Sequence, residues 1–392
     1  RSCLGSKQRG RGSPTPAPMA LALRALLALA AAAAPLALAA RPSGLDADFL
    51  AWAREHRKRY AHEAAWLRAQ ANYRANEVLV RQLNEDEADA AEYGHTRFSD
   101  VTPLEFRETH LPAAMDAAHG RRGGGEPVFD AAMRDLPASI DWRDRGAVTD
   151  VKDQSVCGSC WAESAVSNIE SLWYLANRAS MKAPVALSVQ QVIECDPHDN
   201  ACYGGFPRGA YQYVLESGGL ATEAAYPYVV SRHTICLANQ TFNETCGDHM
   251  CDDPPLTNSC DETCSDKAPA HEPAAKISSW VALPPSEDQI AAYLAQNGPV
   301  SVGIDASGGA LGVFIPWLQF YKRGVANPRR CTTTIDHGVL LVGFGEENGD
   351  KYWIVKNSWG AKWGERGYFR LRRGAGKCGI DQMATSAVVG RP

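Results

Sequence analysis

Two cysteines, Cys157 and Cys160 in "SVCGSCWAES", run straight into "WAESAVSNIESLWYLANR", and this junction constrains the chain more than any other stretch. Apolar residues at 162, 165, 166, 169, 172, 173 and 176 recur with gaps of three, one and three, which predicts a buried helix starting at the second cysteine. A Cys-x-x-Cys pair here can be a redox couple, half of a zinc site, or a structural cysteine beside a nucleophile. At a helix N-terminus the unpaired N–H groups and the positive dipole end favour a thiolate. Cys160 is therefore the candidate nucleophile.

The N-terminal region bears on which reading holds. Met19 opens "MALALRALLALAAAAAPLALAA", with Arg24, an Ala/Leu core and small residues at Ala37, Ala39 and Ala40, so 19–40 reads as a signal peptide. The run is too short and Ala-rich for a membrane span. Residues 1–18 read as upstream leader and are set aside with Cys3. Of 12 cysteines, eleven then enter an oxidising pathway: 157, 160, 195, 202, 236, 246, 251, 260, 264, 331 and 378. An odd count implies an unpaired thiol or an intermolecular partner. A net charge of −5 without a basic stripe argues against a nucleic-acid binder. No phosphate-cradling loop stands between a strand and a helix, since "RGAGKCG" at 373–379 follows the last strand with no helix after it.

Residues 45–89 are charged, helix-forming and free of cysteine, with Trp52, Tyr60, Trp66, Tyr73, Val80 and Leu83 as an apolar stripe. "HGRRGGGEP" at 119–127 reads as a protease-accessible linker. A small independent helical domain is one account; a propeptide over 41–134 explains the missing cysteines, the export signal and the linker together. From Leu136 the chain is Gly-, Trp- and Cys-rich, helical first. Past Asn297 it turns to strands: "PVSVGID", "HGVLLVGFG", "KYWIVKNSW" and "GYFRLRR". Two such lobes form a cleft between them. In it, His337 could lower the thiol pKa and protonate a leaving amine, and Asn357 could hold the imidazole tautomer. Gln154 and the Cys160 backbone N–H could stabilise a developing oxyanion.

"PASIDWRDRGAVTDVKDQSVCGSCWAES", "LSVQQVIECD", "CYGGFPRGAYQYVLESGGLATEAAYPY", "GPVSVGIDA", "DHGVLLVGFG" and "YWIVKNSWGAKWGERGYFRLRR", in this order, resemble papain-family cysteine peptidases of the cathepsin L-like branch. The resemblance implies an α+β, papain-like two-lobed fold over 135–392. It has a helical N-terminal lobe, a β-barrel-like C-terminal lobe and the active-site cleft between. It assigns Cys160 as nucleophile, His337 as acid/base, Asn357 as ring-orienter, Gln154 as oxyanion donor and Trp359 as the shield over the His–Asn contact. Gly204 and Gly205 would bind an extended peptide. Phe206, Pro207, Gly303, Ile335, Asp336 and Met383 would bind the substrate, with the pocket for the second residue before the cut apolar; Met383 argues against acceptance of Arg there.

The resemblance also pairs Cys157 with Cys202 and Cys331 with Cys378. Cys195 then needs Cys236 or Cys264, and Cys160 stays alone. Cys160 and His337 lie 177 residues apart, roughly 30–45 more than usual, and the excess is a Cys-rich insertion over 229–275. A zinc reading of that insertion, helped by His233, His249, Cys246 and Cys251, competes with disulfides, which the oxidising pathway favours. Sequons at Asn239 and Asn243 put glycans on it. The insertion has no adjacent His pair, so an endopeptidase is expected over a dipeptide-removing exopeptidase of cathepsin B type.

Further expectations are no cofactor or metal, a monomer, protein and peptide substrates, and the propeptide as intramolecular inhibitor. No membrane span is expected after signal cleavage. The expected location is the secretory pathway, ending in a lysosome- or vacuole-like acidic compartment or outside the cell. In the propeptide, Tyr73, Asn76, Val80 and Asn84 fit the family's helical motif, whereas Ala65 and Ala69 replace its leading Glu and Arg. "GHTRFSD", with Gly94, Phe98 and Asp100, fits the second motif, with Thr96 for the usual Asn. Two further departures stand in the peptidase region. Glu163 replaces a usual Phe and Val189 a usual Glu, while Glu170 matches. A buried carboxylate without a partner is costly, so Glu163 either fills the space left at 189 or titrates at raised pH. A thiol oxidoreductase using Cys157 and Cys160, which lacks a thioredoxin-like context, and an inactive relative are the rival readings.

Overall fold

The computed structural model describes residues 46–111, 136–229, 236–237, 240–241, 272–310, 313–314 and 316–390. The chain divides into two compact units, Arg1–Ala51 and Trp52–Pro392. Helix α1 (Ala47–Glu55) spans the division.

The charged upstream segment forms α2 (Glu63–Asn84), β1 (Glu92–Tyr93) and α3 (Pro103–His110). Helix α3 starts at a capping box in which the Thr102 hydroxyl and Glu105 carboxylate satisfy each other's backbone N–H. The buried face of α2 is Ala65, Ala69, Tyr73 and Asn76. Of the expected apolar stripe, Trp52 and Tyr73 are buried and Val80 and Leu83 pack against the core, whereas Tyr60 and Trp66 are only half-buried. The break between the helices resets the phase: Tyr60 falls in it, with half-buried Trp66 edge-on at 5.4 Å. Asn76 Nδ2 donates to the carbonyls of Ser99 (3.0 Å) and Val101 (2.8 Å), fixing the 96–101 turn against α2.

In the remainder, β2 (Ile140–Asp141) precedes α4 (Cys160–Asn177), α5 (Val189–Cys195) and α6 (Pro207–Ser217). Every residue of α4 from Cys160 to Leu172 is buried. A helix surrounded by protein must satisfy its polar side chains internally. Asn168 does so completely: Nδ2 donates to Pro299 O and Ser386 Oγ, and Oδ1 accepts from Tyr211 Oη and Ala387 N.

The strand-rich half contains β3 (Ser279–Ala282), α7 (Glu287–Asn297), β4 (Val300–Ile304), β5 (Tyr321–Arg323), β6 (Val325–Ala326), β7 (His337–Glu347), β8 (Asp350–Lys356), β9 (Tyr368–Arg372) and β10 (Ala384–Val388). Its sheet runs β6–β9–β8–β7–β4–β10–β3, with β2 added on β7. Four strands here, β3, β5, β6 and β10, lie outside the runs legible as strands. Two apolar cores result, one within α4–α6 and one under the sheet, giving the helical and β lobes of a papain-like α+β fold. The propeptide joins the second lobe through β1, which pairs antiparallel with β5. Among the described residues no helix is long and apolar enough to cross a membrane.

Candidate active site

Cys160 opens α4, with Ser159 as N-cap. The preceding turn is pinned by the Cys157–Cys202 disulfide and by Gly158 N–H donating to Cys202 O at 2.9 Å. His337 opens β7, opposite Ile304 of β4, with Gly338 opposite Gly303. A Cβ on Gly338 would sit 3.0 Å from the Cys160 carbonyl oxygen, so the glycine lets the strand lie directly on the first turn of α4 without crowding. Gly338 N–H thereby reaches Cys160 Sγ at 3.3 Å. Among the described residues Cys160 is the one free cysteine; Cys331 joins Cys378, and Cys195 is disulfide-bonded.

The imidazole is oriented from behind. His337 Nε2 lies 2.8 Å from Asn357 Oδ1. A carbonyl oxygen only accepts, so Nε2 carries the hydrogen and Nδ1 is the basic atom. Trp359, fully buried, stacks on the His337 ring at 4.8 Å and excludes water from the contact. Gln154 is held at its other end. Its Oε1 accepts from Ser358 Oγ (2.6 Å) and Trp359 Nε1 (3.1 Å), which turns Nε2 toward Cys157 O (2.7 Å) and His110 O (3.0 Å).

That last contact brings the propeptide into the site: a backbone carbonyl at the end of α3 takes the hydrogen of the expected oxyanion donor. Arg97 pairs with Asp153 and donates to Trp359 O. Thr96 Oγ1 donates to Gln319 O at 2.6 Å, and the rings of Phe98 and Phe106 meet Trp359 edge-on at 5.4 and 5.2 Å. Cys160 and His337 are both fully buried. Burial pushes the Cys160 thiol up to about 12, overriding the helix N-terminus, and pushes His337 down to about 4. With the propeptide in place the pair is a neutral thiol and a neutral imidazole.

Beyond the cleft, Phe206 packs against buried Ile335 and Met383. A Cβ on Gly303 would meet Ile335 Cγ2 at 2.4 Å and Met383 Cε at 2.6 Å, so the glycine lets these two side chains pack directly on the strand. Gly204 has φ +119°. A Cβ on Gly205 would strike Asp199, whose Oδ1 accepts from Phe206 N at 2.9 Å. Pro207 starts α6. Asp336 turns its carboxylate inward to Ala306 N (2.7 Å) and Ser307 N (3.3 Å).

Sequence reading misses the charge network behind the nucleophile. Glu170 accepts from Lys152 Nζ (2.6 Å), Leu187 N (2.7 Å) and Thr149 Oγ1 (2.5 Å), and Lys356 Nζ donates to Thr149 Oγ1 at 3.0 Å. Tyr228 Oη donates to Gln154 O (3.0 Å) and meets Ser159 Oγ (2.8 Å). The signal for it, two lysines and a tyrosine among apolar neighbours, has no local period. Glu163 and Val189 line one cavity of about 550 Å³ beside this network. Burial pushes Glu163 up to about 7, against the lysine charges.

A carboxyl raised from 4.5 to about 7 stabilises the fold below pH 4.5, and that contribution is lost as pH rises through about 7. Glu163→Gln is expected to match the wild type near pH 4 and to exceed it by up to about 3 kcal/mol at pH 8. Melting both proteins across that range checks it; a pH-independent difference contradicts it.

The signal peptide, the 119–127 linker, the sequons at Asn239 and Asn243, and the metal reading of the insertion lie outside the described residues. So do the side chains that would decide between Cys236 and Cys264 for Cys195.

A family profile described as papain family cysteine protease matches residues 136–388, and one described as cathepsin propeptide inhibitor domain (I29) matches 49–106. Cathepsin F of Mus musculus is 38% identical over 80% of this chain and 58% of its own length. Cysteine proteinase 15A of Pisum sativum is 35% identical over 79% of this chain and 77% of its own. The chain spans about half the length of the cathepsin F relatives it matches. The solved digestive procathepsin L2 of Tenebrio molitor superposes with a TM-score of 0.69 at 30% identity, covering 87% of this chain and 99% of that one.

Proposed function

Because the chain belongs to the papain family of cysteine proteases and carries a cathepsin propeptide inhibitor domain, we propose that it is a zymogen whose mature form is an endopeptidase with an apolar preference at the second residue before the cut. The observation that carries this reading is the convergence at Cys160. Gly338 N–H lies 3.3 Å from its sulfur, and the neighbouring His337 is held through Nε2 by Asn357.

Once the propeptide leaves, water and substrate dipoles replace the burial that keeps the pair neutral. Proton transfer from Cys160 Sγ to His337 Nδ1 then gives thiolate and imidazolium. The thiolate attacks the peptide carbonyl carbon, and the oxyanion is held by Gln154 Nε2 and the Cys160 backbone N–H. His337 gives its proton to the amine as the C–N bond breaks, leaving a thioester on Cys160. Water, deprotonated by His337, then displaces the thiolate and releases the acid. The proposed secretory route to an acidic compartment accords with the disulfides.

Phe206, Ile335 and Met383, packed together beside Gly303, make an apolar surface without a carboxylate among them. Processed enzyme assayed on peptides varied at the second position before the cut should favour Leu, Phe and Val over Arg by roughly tenfold or more in kcat/KM. Cleavage internal to long peptides, not stepwise loss of dipeptides, is the expected pattern. Preference for Arg overturns the pocket assignment, and stepwise dipeptide release overturns the endopeptidase reading.

A further inference from the structure

One turn into α4, Glu163 is 3% exposed and its Oε2 has no hydrogen-bond partner among the described residues. Asn357 has the complementary defect. Its Oδ1 is saturated by His337 Nε2 (2.8 Å) and by Ser358 N–H (2.9 Å), while its buried Nδ2 donates to nothing described. Glu163 and Asn357 line the same small cavity with Lys152, Ser167, Gly338 and Lys356, and the centre of a water molecule has about 10 Å³ there. That is room for about one water, and a buried water needs two to four polar partners. Buried donors and acceptors without protein partners are where such waters sit.

We propose that this cavity binds a single structural water that accepts from Asn357 Nδ2 and donates to Glu163 Oε2, making Glu163 a positioning residue for the His337–Asn357 pair. The proposal rests on the cysteine-protease reading. Asn357 is useful only with Oδ1 toward His337, because a flipped amide would set Nδ2–H against Nε2–H. An acceptor on the Nδ2 side penalises that flip. Glu163 offers it whether or not it is ionised, since a protonated carboxyl keeps its carbonyl oxygen. The charged groups facing it are Lys152 from the 147–154 loop, Glu170 on α4, Glu223 from the loop after α6 and Lys356 at the end of β8. One of the two lysines lining the cavity, Lys152 or Lys356, can donate to the water's remaining lone pair.

The Asn357 bond favours the charged imidazole. Loosening it lowers the His337 pKa and draws the alkaline limb of the pH profile to lower pH. Crystal structures of the full-length wild type, Glu163→Gln and Glu163→Met should show the water touching both side chains in the first two and missing from the third. In the processed enzymes, Glu163→Gln should keep kcat within about twofold, and Glu163→Met should lose roughly tenfold in kcat at unchanged KM. The alkaline limb should move only in the Met variant.

A wild-type structure without a water joining the two atoms overturns the proposal. So do equal losses in both variants, or a Met variant with wild-type kcat and profile. If Glu163→Met does not fold, the wild-type and Gln structures still decide. The water's position needs no turnover, so a wild type that cleaves nothing fails the protease reading by itself. A cleaving wild type that lacks the water fails only this proposal.

Discussion

Replacing Cys160 by alanine in the processed enzyme is expected to lower kcat by roughly a hundred-thousandfold to a millionfold, as loss of a covalent nucleophile does elsewhere. Nothing nearby can take over. Cys157, three residues away, is bridged to Cys202, and Cys160 is the one free cysteine among the described residues. The residual rate should come from Gln154 and substrate positioning. A substrate-like thiol-reactive inhibitor should attach at Cys160 alone and abolish cleavage in proportion. Two outcomes would reject the assignment: cleavage that survives Cys160→Ala, or labelling at both Cys157 and Cys160. The second would revive a dithiol redox couple, which needs both sulfurs to exchange between thiol and disulfide.

Legibility in the sequence follows the range of the interaction. Helix α4 announces itself by periodicity because burial along one helix is a local pattern. The strands around His337 and Asn357 are apolar runs between glycines; the structure lays His337 and Gly338 on the first turn of α4 and brings Asn357 to His337 through the β7–β8 pairing. Where several distant pieces meet, the sequence is silent. Lys152, Glu170, Thr149 and Lys356 come from separate elements, and no spacing rule links them. Helix α2 follows the expected stripe at Tyr73, Val80 and Leu83 but not at Trp66, because the chain breaks between α1 and α2 and one period does not carry through. Its buried positions include Ala65 and Ala69, where the family motif expects a charged pair and this chain packs small apolar groups. The contact of Gln154 with His110 O was out of reach for another reason: it uses a backbone carbonyl, which any residue could supply.

Cys160 in the full-length chain should react with iodoacetamide at pH 7 at least about a thousandfold more slowly than Cys160 in the processed enzyme. The thiolate is the nucleophile, so the rate follows its population. With the propeptide seated the thiol is pushed up to about 12, which leaves on the order of one thiolate in a hundred thousand at pH 7. The sign is that of an acid kept protonated by burial: reactivity in the full-length chain should climb about tenfold per pH unit between 7 and 11. In the processed enzyme the imidazolium and the α4 N-terminus act on an uncovered sulfur, so the rate should already be near its plateau at neutral pH. The barrier is set by what holds the propeptide, and Arg97, tied to Asp153 and Trp359 O, lies outside the chemistry. Arg97→Glu should therefore raise the full-length rate toward that of the processed enzyme without altering the processed enzyme. Equal rates before and after propeptide removal, or a full-length rate flat from pH 7 to 11, would mean that burial by the propeptide does not hold the nucleophile protonated.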